Sequence, residues 1–179
     1  GDCGRGFALL DEAVAAQADT AGLAAEACAG AAGKRMDAGD APGAAAALRH
    51  AIAFTPGVAG YRASLAAALE AAGDRAGALA ACRAVVDAVP ESPKSSARID
   101  ALLDAEGGVA ARAKVWAELA ARHADAAVPQ LHLGLALEAS GDLSGARASV
   151  EKALKINPDL GEARSALARL DNAQGNGKQ

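Results

Sequence analysis

Aromatic residues are nearly missing from this chain: Phe7, Phe54, Tyr61 and Trp116 make up 2% of its 179 residues. A core must therefore be filled with smaller side chains, which let helix axes approach at the short end of the usual ~8–10 Å range. Long basic runs are missing too. Lysine and arginine are scattered, the net charge is −4 and the pI is near 5.4. That balance excludes the basic face nucleic acid demands and the clustered cations an anionic membrane attracts. Apolar runs such as Ala44–Leu48 are too short to cross a bilayer, so direct membrane insertion is not expected, and no signal-peptide pattern is visible. Cys3, Cys28 and Cys82 are odd in number and show no CxxC spacing, which excludes a disulfide framework. Cys82, and with it Cys28, reads as a small buried hydrophobe; Cys3 lacks the preceding residues of a lipid-attachment site.

What is present is alanine. Hydrophobic residues reach 52% of the chain, most of them alanine, the best helix former and a poor strand former. Composition alone therefore predicts an all-α fold. Along the stretch Val128–Pro158, Leu131, Leu133, Leu135 and Leu137 surround Gly134 in one amphipathic helix. Gly141-Asp142 then breaks the pattern, and Ala146, Val150, Ala153, Leu154 and Ile156 carry a second helix that Asn157-Pro158 stops.

Steps of 34 residues recover the same design: Pro56, Pro90 and Pro158 fall on that period, as do the turns Gly39-Asp40, Gly73-Asp74 and Gly141-Asp142. The predicted organisation is a helix over 5–20, repeats over 23–56 and 58–90, a degenerate repeat over 93–124, a repeat over 127–158, a cap over 160–173 and a disordered tail over 175–179. In the degenerate unit Arg112 stands where the others have Ala44, Ala78 and Ala146. An unpaired guanidinium in a tight helix contact is costly, so the expectation there is a one-residue register shift that brings Ala111 or Ala113 into contact, with Trp116 filling the space.

Chemistry is not signalled. Gly33-Lys34 is followed by Arg35, and Cys28 takes the place of the first glycine, so a phosphate loop fails; Gly4-Arg5-Gly6 is followed by Leu9 where a dinucleotide fingerprint needs glycine. His50, His123 and His132 lack the i,i+4 partners of a helical zinc site. No catalytic residue, cofactor or metal is expected.

The period of 34, the small residues Ala32, Ala66 and Gly134 inside the first helices, the Gly-Asp turns, the alanines at the close contact and the closing prolines together resemble the tetratricopeptide repeats, in a bacterial-type form. The resemblance runs from about Leu23 to Pro158; the departure is the near absence of the family's large aromatics. It implies a right-handed α-solenoid of about four helix–turn–helix units, with an N-terminal half-repeat and a C-terminal capping helix, acting as a non-catalytic scaffold or adaptor. First helices would line a concave groove that takes a peptide or helix of a partner protein. Its walls would be Ala29, Gly33, Ala63, Ala67 and Glu70 in the first half, then Lys94, Arg98, Ala101, Asp104, Leu131, His132, Leu135 and Glu138. Lys94, Arg98, Leu131, His132, Leu135 and Glu138 are the expected partner-binding set, with Leu131 and Leu135 either anchoring a partner or packing within the array. A clamp for a C-terminal carboxylate is not expected, because Lys94 and Arg98 are its only cations and its asparagines are missing. The rival expectation is a docking segment of a larger enzyme such as a transferase, suggested by the half-repeat at Arg5–Thr20. Self-association through Phe7, Leu10 and Val14 is a third, and the compartment stays open between cytoplasm and periplasm.

Overall fold

The computed structural model describes residues 20–105 and 108–176, with Gly6 and Leu9 as isolated positions. The helix expected over 5–20 and the end of the tail fall almost wholly outside the described residues. Within them the chain is all helix and turn: α1 (Thr20–Asp37), α2 (Ala41–Phe54), α3 (Ala59–Ala71), α4 (Arg75–Ala88), α5 (Pro93–Asp104), α6 (Val109–Arg122), α7 (Ala127–Ser140), α8 (Leu143–Ile156) and α9 (Gly161–Asn176). No described helix is long and apolar enough to cross a membrane. The helices form two units, α1 to α4 and α5 to α9, divided between Ala88 and Val89.

A five-residue turn explains why three helix pairs look alike. Gly39, Gly73 and Gly141 adopt φ of +77°, +81° and +86°, the left-handed region that only glycine enters cheaply. Each turn carries the paired backbone bonds of a Schellman close, for example Asp40 N–H to Arg35 O at 2.8 Å and Gly39 N–H to Met36 O at 3.0 Å. The following aspartate then caps the next helix. Asp40, Asp74 and Asp142 accept from the amides of Gly43, Gly77 and Gly145 at 2.9, 2.8 and 2.9 Å. A Cβ at those second glycines would run into the capping carboxylate, so the aspartate would have to turn to admit it. Sequence reading found the first glycine of each turn and missed the second.

In the first unit α1 packs on α2, α2 on α3 and α3 on α4. The contacts are small: Ala44, Ala45, Ala47, Ala66 and Ala78 are buried, and so are Cys28 and Cys82. Phe54 and Tyr61 lie against the cluster of Ala25, Cys28 and Ala51.

The second unit is more leucine-rich. Leu131, Ala146, Val150, Ala153, Ala163, Ala166 and Leu170 form its main cluster, with Leu135 and Leu137 packed against it. Glu91 reaches from before α5 to the N-terminus of α7, accepting from the amides of Ala127 at 2.5 Å and Val128 at 3.3 Å, which satisfies donors no local cap supplies. The expected register shift at Arg112 does not occur. Arg112 N–H bonds Gly108 O as Ala44 bonds Asp40 and Ala146 bonds Asp142, while Ala111 is exposed. The charge is accommodated by pairing instead: Arg112 Nη1 lies 2.8 and 2.9 Å from the two oxygens of Asp104. Trp116 does fill the space beside it, fully buried.

Candidate interaction site

Six of the nine described helices superpose on the chain's own period. α2, α3 and α4 span 41–54, 59–71 and 75–88, and a shift of 68 residues, two steps of 34, carries their first residues onto those of α6, α7 and α8 at Val109, Ala127 and Leu143. Equivalent positions can thus be compared directly, and at one place the two units differ in kind.

In the first unit, α1 and α3 are the walls of a cleft whose floor is Leu48 of α2. Ala29, Ala32, Gly33 and Met36 come from α1, Val58 from the residue before α3, and Gly60, Tyr61, Ser64 and Ala67 from α3. The cleft encloses about 460 Å³, within the range of sites that hold ligand-sized groups. A Cβ added at Gly33 would meet nothing within 4 Å. Glycine inside a helix costs roughly 0.5–1 kcal/mol relative to alanine, and no close packing within the described chain requires it there.

In the second unit the equivalent residues are larger. Trp116 replaces Leu48, Asp100 replaces Ala32, His132 replaces Ser64 and Leu135 replaces Ala67. They close on one another. The Trp116 indole stacks on the His132 ring with centroids 4.6 Å apart and planes 23° from parallel. Trp116 Nε1–H donates to Asp100 Oδ1 at 2.6 Å, and His132 Nδ1 lies 2.6 Å from Asp100 Oδ2. One carboxylate from α5 thereby holds a ring from α6 and a ring from α7. The polar atoms of two buried rings are satisfied by one part-buried carboxylate, so neither ring is left without a partner. The bulk of Trp116 and Arg112 accompanies a smaller α5–α6 contact than the alanine-lined α1–α2 one.

The residues singled out in sequence fare unevenly. Leu131 is 1% exposed and His132 7% exposed; Leu131 takes the packing place of its two expected roles, because it faces α8 and α9 through Ala146, Val150 and Leu170. His132 is a buried residue with a fixed partner rather than a half-exposed groove residue. Leu135 is half-buried on the same cluster. Glu138 pairs with Arg169 of α9 at 3.0 Å. Arg98 is half-buried and Lys94 exposed. The structure therefore does not bring the six together as one open face. Ala29, Gly33 and Ala67, also expected on the groove, do meet in the first-unit cleft; Leu48, Met36, Val58 and Tyr61 were missed. The signal that finds them is the 68-residue comparison of side-chain size.

Helix pairs closed by Gly-Asp turns, repeated every 34 residues with small residues where the pairs touch, define an all-α helical-repeat fold. Residues 127–170, which cover α7, α8 and most of α9, match the family model described as Tetratricopeptide repeat. No curated protein matches its sequence. Among solved structures, MamA 41-end from Desulfovibrio magneticus RS-1 is similar at 18% identity and a TM-score of 0.54, with 86% of this chain and 87% of that one covered. A tetratricopeptide repeat protein from Parabacteroides merdae is similar at 18% identity and a TM-score of 0.57, covering 87% of this chain and 62% of that one. YrrB, described as a TPR protein with an unusual peptide-binding site, is similar at 11% identity and a TM-score of 0.53, covering 93% and 84%. At these identities the likeness is one of fold.

Proposed function

We propose that this chain is a non-catalytic interaction scaffold that holds a segment of a partner protein along its first helices, with an apolar side chain of that segment seated in the cleft between α1 and α3. The observation that carries this reading is the open, apolar, glycine-walled cleft itself, at the place the second unit fills with its own side chains. An unfilled void lined by alanine and leucine forfeits dispersion contacts that an entering side chain restores. YrrB, which has the same fold, is described as binding a peptide. The rival docking place within this reading is the α5–α7 face, favoured by the exposure of Lys94 beside the half-buried Arg98 and Leu135.

The test is selection of a random displayed peptide library on the native chain, followed by binding of the enriched peptides to Ala67→Leu. That substitution copies Leu135 and narrows the cleft. The expected result is peptides that share a large apolar residue and lose affinity for the variant, which keeps its helicity and melting temperature. Enriched peptides that bind both proteins equally would move the site away from the cleft.

A further inference from the structure

We infer that the side chain this cleft accepts is an indole-sized aromatic ring, carried on a segment with basic residues beside it. The inference rests on the reading just given and adds the partner's chemistry.

Size comes from the internal repeat. The same lattice place, 68 residues on, holds an indole: Trp116 lies over the position of Leu48, 0% exposed, stacked on His132. Where Trp116 brings its ring, Leu48 leaves the space open; where His132 closes the rim, Ser64 is short and exposed. Walls of Ala29, Ala32, Gly33 and Ala67, with Met36 and Tyr61 at the sides, suit a flat ring. Methionine sulfur and the tyrosine face both make favourable contacts with aromatic groups. Ser64 supplies a hydroxyl that can accept from an indole N–H, the part Asp100 plays toward Trp116.

Charge comes from the rim. On α1, Glu26 and Asp37 lie at the two ends of the lining stretch, both exposed, and helical spacing places them on the Gly33 side of the helix. Glu70 follows Ala67 by one turn on α3 and is exposed too. The nearby cations are turned elsewhere. Arg35 is tied to Asp40 at 2.6 Å, Arg62 donates to the carbonyl of Pro56, and Lys34 lies round the helix from Ala29 and Ala32. A ring entering this cleft is therefore flanked by carboxylates, which favour lysine or arginine next to the anchor and disfavour acidic neighbours.

Four synthetic peptides of equal length decide the matter: tryptophan between lysines, tryptophan between glutamates, leucine between lysines and alanine between lysines. Each is titrated by fluorescence anisotropy against the native chain, against Glu26→Lys/Asp37→Lys, and against two separate cleft-filling variants, Ala67→Leu and Ser64→Trp. The second filling variant guards against misfolding of the first. The tryptophan–lysine peptide is expected to bind the native chain best, roughly three- to tenfold tighter than its glutamate counterpart at low salt, with the gap narrowing as salt rises. The charge-reversed protein should invert that preference, and both filled variants should lose the anchor-dependent affinity. If the filled variants lose binding but the native chain takes the glutamate peptide as well as the lysine one, or leucine better than tryptophan, the inference is overturned while the cleft reading stands. If the filled variants bind every peptide as the native chain does, the cleft reading falls and the inference with it.

Discussion

Trp116 and Leu48 occupy the same place in their repeats, 68 residues apart, and both are buried there, at 0% and 3% exposure. One closes its unit by reaching a carboxylate and a ring on two other helices; the other forms the floor of an open cleft. Larger side chains at four equivalent positions, Trp116 for Leu48, Asp100 for Ala32, His132 for Ser64 and Leu135 for Ala67, thus separate a plugged unit from an open one.

Removing the plug should cost stability and create a cavity. Trp116→Ala is expected to destabilise by about 3–5 kcal/mol, the range for deleting a large buried aromatic. Added indole should then raise the variant's melting temperature more than that of the native chain, since it can refill the vacated space, stacking on His132 and donating its N–H to Asp100. Equal shifts would show that the space collapses when Trp116 leaves.

Asp100 should matter through its two hydrogen bonds. Asp100→Ala strands the Trp116 N–H and the His132 ring and should cost about 1–3 kcal/mol. Asp100→Asn keeps an acceptor for the indole and should cost less. Because Trp116 is the one tryptophan in the sequence, its emission reads the change directly. An unaltered spectrum in Asp100→Ala would mean the indole does not depend on this partner.

Two glycines should respond oppositely to alanine. A Cβ on Gly134 would lie 2.6 Å from Val150 Cγ2 and 3.1 Å from the Ala146 carbonyl, a backbone atom that cannot step aside. Gly134→Ala should therefore destabilise by about 1–3 kcal/mol. Gly33 has no such neighbour within 4 Å, so Gly33→Ala should stabilise by about 0.5–1 kcal/mol. Chemical denaturation of both variants checks the pair.

Asp40 should give the first unit an acid-sensitive edge. The amide of Gly43, and after it the guanidinium of Arg35, hold its carboxyl below the ordinary value of 3.8. A carboxyl whose folded value is lowered stabilises the fold above its unfolded value, and that stabilisation is lost as pH falls through the folded value. Asparagine also caps helices well but does not titrate, so the melting temperature of Asp40→Asn should fall less steeply below about pH 4 than that of the native chain. Identical slopes would remove Asp40 from the acid response.

The helical class and the turns were legible because they rest on local rules. Alanine favours helix, and Gly39, Gly73 and Gly141 mark the chain reversals without help from distant residues. The candidate binding surface was not legible in the same way. The partner that fixes His132 is Asp100, 32 residues earlier on another helix, and no local pattern joins them. Leu131 and Leu135 read alike on a helical wheel, yet Leu131 is sealed by Val150 and Leu170 from two later helices while Leu135 stays half-buried. The cleft itself is a difference of volume between corresponding residues, visible only when the chain is laid over itself.

The most direct test of the account is an amide-resolved NMR titration of the native chain with the tryptophan–lysine peptide. Shifts concentrated at Gly33, Gly60, Ser64 and Ala67 are the predicted result, since these amides surround the cleft. Shifts concentrated instead at Lys94, Arg98 and Leu135, with the α1–α3 amides unmoved, would contradict it and put the working surface on α5 and α7.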